Sequence, residues 1–271
     1  MTDLHAAAKR CLDATEPAEK LRLTHATWEA FLAGDLQPDA ASPAPDPITA
    51  PGRPAKPVLV NARQLPQRGL GSEEGRAALV HAVAHIEFNA INLAWDAVYR
   101  FRGMPAAYYR DWASCAHDEA RHFAMLAERL QELGHAYGDF DAHDGLWQMA
   151  EKTAGNDTAR MALVPRVLEA RGLDVTPGMI ERLRRLGDIR TVSILDVILR
   201  EEVAHVAAGT RWYQHCCQRD GIEPIAHFFA LIRDYMGVNL RGPFNRPARL
   251  EAGFVEAELD RLAALAAQGP A

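Results

Sequence analysis

Six residues on four well-separated stretches limit what this chain can fold into. They are Glu87, Glu119 with His122, Glu169, and Glu202 with His205. Two carboxylates stand alone. The other two open a Glu-x-x-His step, Glu119-Ala120-Arg121-His122 and Glu202-Val203-Ala204-His205. At 3.6 residues per turn, positions i and i+3 share a helix face, so each step can present a carboxylate and an imidazole to one cation. Two such steps plus two lone glutamates form the set with which four inward-facing helices hold two metal ions.

The spacing supports this reading. The interval from Glu87 to Glu119 and the interval from Glu169 to Glu202 differ by a single position. Each is long enough for one helical hairpin that returns to the same depth. The gap from His122 to Glu169 is longer than either, as a long crossover between the second and third helices requires. Each step also carries an acid four residues before its histidine, Asp118 and Glu201. The halves look like an ancient repeat, although the flanking sequence has diverged.

Four carboxylates can bridge two cations and cancel most of their charge. Together with two imidazoles they suit iron or manganese, as an Fe/Fe or Mn/Fe pair, better than a thiolate-preferring metal. The bland alternative is that a lone Glu-x-x-His forms a weak surface pair. Two copies with matched lone glutamates are much rarer by chance. The neighbours also argue for burial: Glu87 shares its face with Ala84, Phe88 and Ile91, and Glu202 follows Val197-Ile198-Leu199. Ionised glutamates in apolar surroundings are costly unless paired or metal-bound.

The rest of the chain reads as all-α. Residues 3 to 34 predict one or two amphipathic helices, broken near Pro17 and stopped by Gly34. Of the 16 prolines, eight fall between Pro38 and Pro66. That density excludes regular helix and central strand. The stretch is an extended strap or a linker, and Pro57-Val58-Leu59-Val60 favours partial docking. Ser72, followed by Glu73 and Glu74, caps a helix that runs to about Phe101. A second helix runs from about Pro105 to Leu133, closed by Gly134. Residues 135 to 144 form the crossover. A third helix is expected over 145–171, bent at Pro165. Thr176-Pro177 reads as the start of a short helix that ends at Gly187. A fourth runs from the Asp188 cap to about Gln218, followed by helices over 223–236 and 247–266. No strand is expected. The predicted domains are 1–36 (N-terminal helices), 37–70 (strap or linker), 71–220 (metal-binding bundle) and 221–271 (C-terminal helices packing on the bundle).

The chain has 271 residues, of which 48% are hydrophobic and 24% charged. That is enough for a sizeable core of ordinary globular type. A net charge of -6 argues against nucleic acid or an anionic membrane as the main partner. Arg182-Leu183-Arg184-Arg185 is too short to reverse that and reads as a solvated helix face. No signal peptide and no membrane-spanning run are expected. Cys11, Cys115, Cys216 and Cys217 form no CxxC and no disulfide framework, so a reducing cytoplasm is the simplest location.

His85-Ile86-Glu87-Phe88-Asn89-Ala90, His117-Asp118-Glu119-Ala120-Arg121-His122-Phe123, Pro165-Arg166-Val167-Leu168-Glu169-Ala170-Arg171-Gly172-Leu173-Asp174 and Arg200-Glu201-Glu202-Val203-Ala204-His205 carry a resemblance. The ligand pattern resembles the ferritin-like di-iron carboxylate superfamily. Over most of its length the chain resembles the DUF455 family. The superfamily likeness implies a left-handed four-helix bundle, two metals and often oxygen chemistry. The family likeness implies no particular substrate, and fold analogy does not settle activity.

Around these ligands, Cys115 reads as a small buried hydrophobe. His81 and His85 point away from Glu87's face and read as structural or supporting groups. Asp118 and Glu201 either orient the histidines or are solvated. Asp196, in an apolar run, could bond to a ligand from a neighbouring helix. Arg121 and Arg200 could balance surplus carboxylate charge. Trp95, Tyr99, Tyr108 and Tyr109 read as core or rim. Three functions remain open. The first is an oxygen-activating oxidoreductase acting on a small organic substrate, with a separate electron donor because no Gly-x-Gly-x-x-Gly is present. The second is a ferroxidase or iron-handling protein. The third is a metal-free helical interaction module. The terminal additions favour the first over a storage-cage subunit, and the pattern leaves room for a homodimer.

Overall fold

The computed structural model describes residues 2–39, 41–237 and 240–267. It is mostly helical, and the chain divides into two compact units, Met1–Glu151 and Lys152–Ala271. That division falls inside the 71–220 segment.

In the first unit, α1 (Leu4–Asp13) starts where Asp3 accepts a hydrogen bond from the His5 N–H. α2 (Pro17–Leu32) begins with Pro17, whose fixed φ and missing N–H suit a first helical position. Gly34, at φ 84°, ends it. One expectation fails here: β1 (Thr2–Asp3) and β2 (Leu36–Gln37) pair in parallel. Strands this short cannot show an alternating pattern, so no strand signal existed to read. The proline-rich strap is docked. The Val60 N–H donates to the Ala142 carbonyl at 2.9 Å, and the Ala142 N–H donates to the Val58 carbonyl at 3.0 Å. The Trp147 indole N–H donates to the Thr49 carbonyl, and Tyr99 Oη accepts from the Asp46 N–H.

α3 (Glu73–Arg100) is capped by Ser72, which accepts from the Gly75 N–H at 3.0 Å. α4 (Ala106–Glu132), closed by Gly134 at φ 75°, packs along α3, while α1 covers α3 and α2 covers α4. Lys20 is buried between them. Its ammonium donates to the Cys11 and Leu12 carbonyls and to Asn92 Oδ1, which replaces the hydration it loses. Among the described residues α3 alone is long and apolar enough by composition to cross a membrane. However, 72% of its apolar window is buried inside the protein, and that accounts for its apolarity without a bilayer.

The helix expected over 145–171 is not continuous. α5 (Gly145–Lys152) stops, and α6 (Asp157–Leu163) restarts under Asn156, whose side chain accepts from the Ala159 N–H at 2.8 Å. Within the second unit, α6 runs into a π segment, Val164–Glu169, at the bend expected from Pro165. The chain then continues as α7 (Ala170–Arg185) without stopping at 171. Thr176-Pro177 therefore does not start a helix, because Pro177 lies inside α7. The Leu173 carbonyl, which a residue 177 N–H would normally satisfy, accepts instead from Asn245 Nδ2 at 3.0 Å.

α8 (Ile189–Asp220) is capped by Asp188 and ends on Gly221 in the left-handed region. α7, α6 and the π segment all pack on α8. Pro165 lies against Gly209 of α8, where an added Cβ would fall 2.3 Å from the ring. α9 (Pro224–Met236) follows. The single helix expected over 247–266 is two, α10 (Arg246–Glu251) and α11 (Glu256–Ala267), separated at Gly253 with φ 85°. The core of this unit contains a buried ion pair. Arg166 Nη2 donates to Glu258 at 2.7 Å, while the guanidinium stacks on Phe228 and Phe254. Ring faces attract such a cation electrostatically.

Candidate metal centre

Glu87 sits midway along α3, on a face whose other members, Ala84, Phe88 and Ile91, are all buried. α4 brings Glu119 and His122 beside it. These three side chains are 3%, 3% and 0% exposed, and one ligand atom of each lies within 4.8 Å of the others'. His122 Nδ1 is 3.2 Å from Glu87 Oε2 and 3.3 Å from Glu119 Oε2, so both carboxylates converge on one ring nitrogen. Burial, reinforced by the neighbouring Glu119 carboxylate, pushes the Glu87 carboxyl up to about 8. Burial alone would lower the His122 imidazolium, but its contacts with Glu119 and Glu87 outweigh this and raise it to about 11. The trio thus favours a positive charge at its centre. A divalent cation carries more charge than a proton and fits the same oxygen and nitrogen donors. This buried Glu/His group can hold a metal ion.

The second unit contains the matching step. On α8, His205 is buried, with its Nδ1 3.5 Å from Glu202 Oε1. Glu202 is half-buried. Glu169, also half-buried, is the last residue of the π segment that packs on α8. A π turn inserts an extra residue per turn and re-aims the side chains after it, and such turns recur at functional sites.

The neighbouring residues have definite roles. His85 and His81 serve the crossover: Tyr137 Oη lies 2.9 Å from His85 Nδ1, and His81 Nε2 accepts from the Gly138 N–H at 2.9 Å. Burial lowers both imidazoles to about 4, so both are neutral in ordinary neutral buffer. Tyr137 also packs on Phe88 and Phe123, the residues that follow Glu87 and His122. Nothing in the crossover's polar sequence singled it out. Asp118 accepts from Arg121 at 2.6 Å. Glu201 lies 4.0 Å from Arg200, whose side chain is 72% exposed. Cys115, Trp95, Tyr99, Tyr108 and Tyr109 are buried, in keeping with a packing role. Asp196 is exposed, because its side of α8 faces solvent, which removes the expectation that it supports a ligand. Among the Arg182–Arg185 run only Leu183 is buried.

The site and the elements that carry it thus define a helical protein with a buried Glu/His group able to bind metal. The chain belongs to the DUF455 family, "Protein of unknown function (DUF455)", whose model matches residues 13–260. It is 47% identical over 214 residues to an uncharacterized protein of Haemophilus influenzae, across 76% of this chain and 74% of the relative. No solved structure matches.

Proposed function

We propose that this chain holds two metal ions, as an Fe/Fe or Mn/Fe pair, on Glu87, Glu119, His122, Glu169, Glu202 and His205 in a ferritin-like four-helix cage, and uses them to oxidise a small organic molecule with dioxygen. The observation that carries the reading is the buried convergence of Glu87 and Glu119 on His122. Two carboxylates removed from water need a cation, and a proton on His122 is a weaker answer than a metal. The step in α8 repeats the residue types and spacing of the step in α4, with its histidine again buried. The π segment gives Glu169 a departure from helical register of the kind used at functional sites.

A bound redox-active metal pair would supply the electrons for reducing dioxygen. The protein's own contributions are different. Rigid helices hold the donors at constant spacing, and the apolar flank of Ala84, Phe88, Ile91 and Phe123 excludes water. An external protein or small molecule supplies reducing equivalents.

Elemental analysis of purified protein tests the metal reading, with about two equivalents per chain expected, lost in Glu119→Ala/Glu202→Ala. Full occupancy in the double variant would remove the assignment. Adding oxygen to the reduced protein, with candidate organic substrates present, tests the chemistry. Rapid ferrous oxidation that no organic compound accelerates would make this an iron-handling protein instead.

A further inference from the structure

Outside the carboxylate ligand set, α2 and α4 bring two imidazoles together edge-on, their planes 76° apart. His25 Nδ1 and His117 Nδ1 are 3.0 Å apart, across 92 residues of sequence. Both rings are half-buried at the surface of the first unit, with the Trp28 ring 6.0 Å from that of His117. His117 lies two residues before Glu119, a rotation of about 200° around α4, so it faces away from the buried trio. Glu29 stands one turn after His25 on α2 and acts electrostatically on both rings, as the Arg121 guanidinium does in the opposite sense.

We propose that His25 and His117 form a second metal site, a surface clip for one divalent transition ion such as Ni(II), Cu(II) or Zn(II), with water completing the shell. The geometry fits. At a metal–nitrogen distance of about 2.1 Å, nitrogens at this separation subtend about 90°, the angle between adjacent ligands in octahedral or square-planar coordination. Imidazole is the side chain these borderline ions prefer, and the half-open position leaves an entry path. The clip joins α2, which belongs to the N-terminal addition, to α4, which carries Glu119 and His122. Its occupancy therefore stiffens the support of the buried trio without contributing a ligand to it.

The competing account is a neutral pair sharing one ring proton, which gives the same separation. Calorimetric titration of the full-length protein with Ni(II), and electron paramagnetic resonance after Cu(II) addition, separate the two. Wild type takes up one equivalent that His25→Ala and His117→Ala each lose, while occupancy at the carboxylate set is unchanged. The Cu(II) spectrum shows coupling to two imidazole nitrogens in wild type and to one in either variant. His25→Gln keeps a hydrogen-bonding partner for His117 and so preserves packing. Its Ni(II) affinity falls by more than the roughly 10–100-fold that loss of an outer partner alone costs. Identical stoichiometry and spectra across wild type and variants would overturn the site and leave a shared proton.

Discussion

Replacing Gly209 with alanine tests how the π segment is held. The new Cβ would lie 2.3 Å from both Cβ and Cγ of Pro165. Carbon atoms in good contact sit about 3.5–4.0 Å apart, so the shortfall exceeds an ångström. The proline ring cannot rotate away, because its φ is fixed by covalent closure. Overpacking costs about 1–3 kcal/mol, and a rigid neighbour puts this case at the upper end. Alanine's better helix propensity offsets about 1 kcal/mol. The net loss is about 2 kcal/mol, a fall in Tm of about 4–8 °C for a protein of this size. The assay is a thermal melt with Gly178→Ala as control. Gly178 lies in α7 with no atom close to a built Cβ. That variant should gain up to about 1 kcal/mol. Because Pro165 and Glu169 share the π segment, metal content of Gly209→Ala, measured well below either melt, should fall too. A Gly209→Ala protein that melts at or above wild type, beside a normally behaving control, would refute the packing argument.

The buried charges give the next tests. Glu258→Ala leaves the Arg166 guanidinium buried without its carboxylate. It should cost about 3–5 kcal/mol in denaturant unfolding, whereas Asp13→Ala, which removes the exposed Lys9 pair, should cost less than about 1 kcal/mol. Lys20→Met strands the Cys11 carbonyl and Asn92 Oδ1, while the Leu12 carbonyl keeps the Gly52 N–H, and should cost about 2–3 kcal/mol in the same assay. His81 gives a pH signature. Its folded value, about 4, lies below its ordinary 6.5. The unfolded chain therefore binds more protons between those values, and stability falls as pH drops through that window. After allowance for solvent screening the loss is about 2 kcal/mol. That part of the loss should be absent in His81→Gln, which can still accept from the Gly138 N–H, while the part due to His85, also lowered to about 4, remains. Equal acid sensitivity in both proteins would remove His81 as the cause.

What could be read from the sequence was what local chemistry decides. Ser72, Gly34 and Gly134 mark helix ends because a cap or a left-handed residue acts within one turn. Glu87, Glu119 and His122 could be grouped because helical periodicity and hairpin length are sequence quantities. The failures came where a local cap inside an expected helix went unread, or where distant partners override local rules. The 145–171 helix breaks because Asn156 makes a better start for α6 than residues 153–155 make a continuation. Lys20 reads as an ordinary surface lysine until Asn92, 72 residues away, supplies an acceptor. The same holds for His25 and His117, whose pairing has no periodic signature at all.

Pro177 is the sharpest such case and yields its own test. A proline inside a helix removes one N–H, so the Leu173 carbonyl loses its helical partner. Asn245 Nδ2 replaces it, while Asn245 Oδ1 caps α10 by accepting from the Ala248 N–H. Asn245→Ala therefore removes two interactions at once, a cap and the carbonyl's substitute donor, for about 2 kcal/mol together. In a Pro177→Ala background the backbone N–H returns to the Leu173 carbonyl, and only the cap remains to be lost. The two substitutions should be coupled by about 1 kcal/mol in a double-mutant cycle read by denaturant unfolding. If Asn245→Ala costs the same with proline or alanine at 177, the asparagine is not what lets α7 run through its proline. The reading of Thr176-Pro177 as a helix start would then have failed for some other reason.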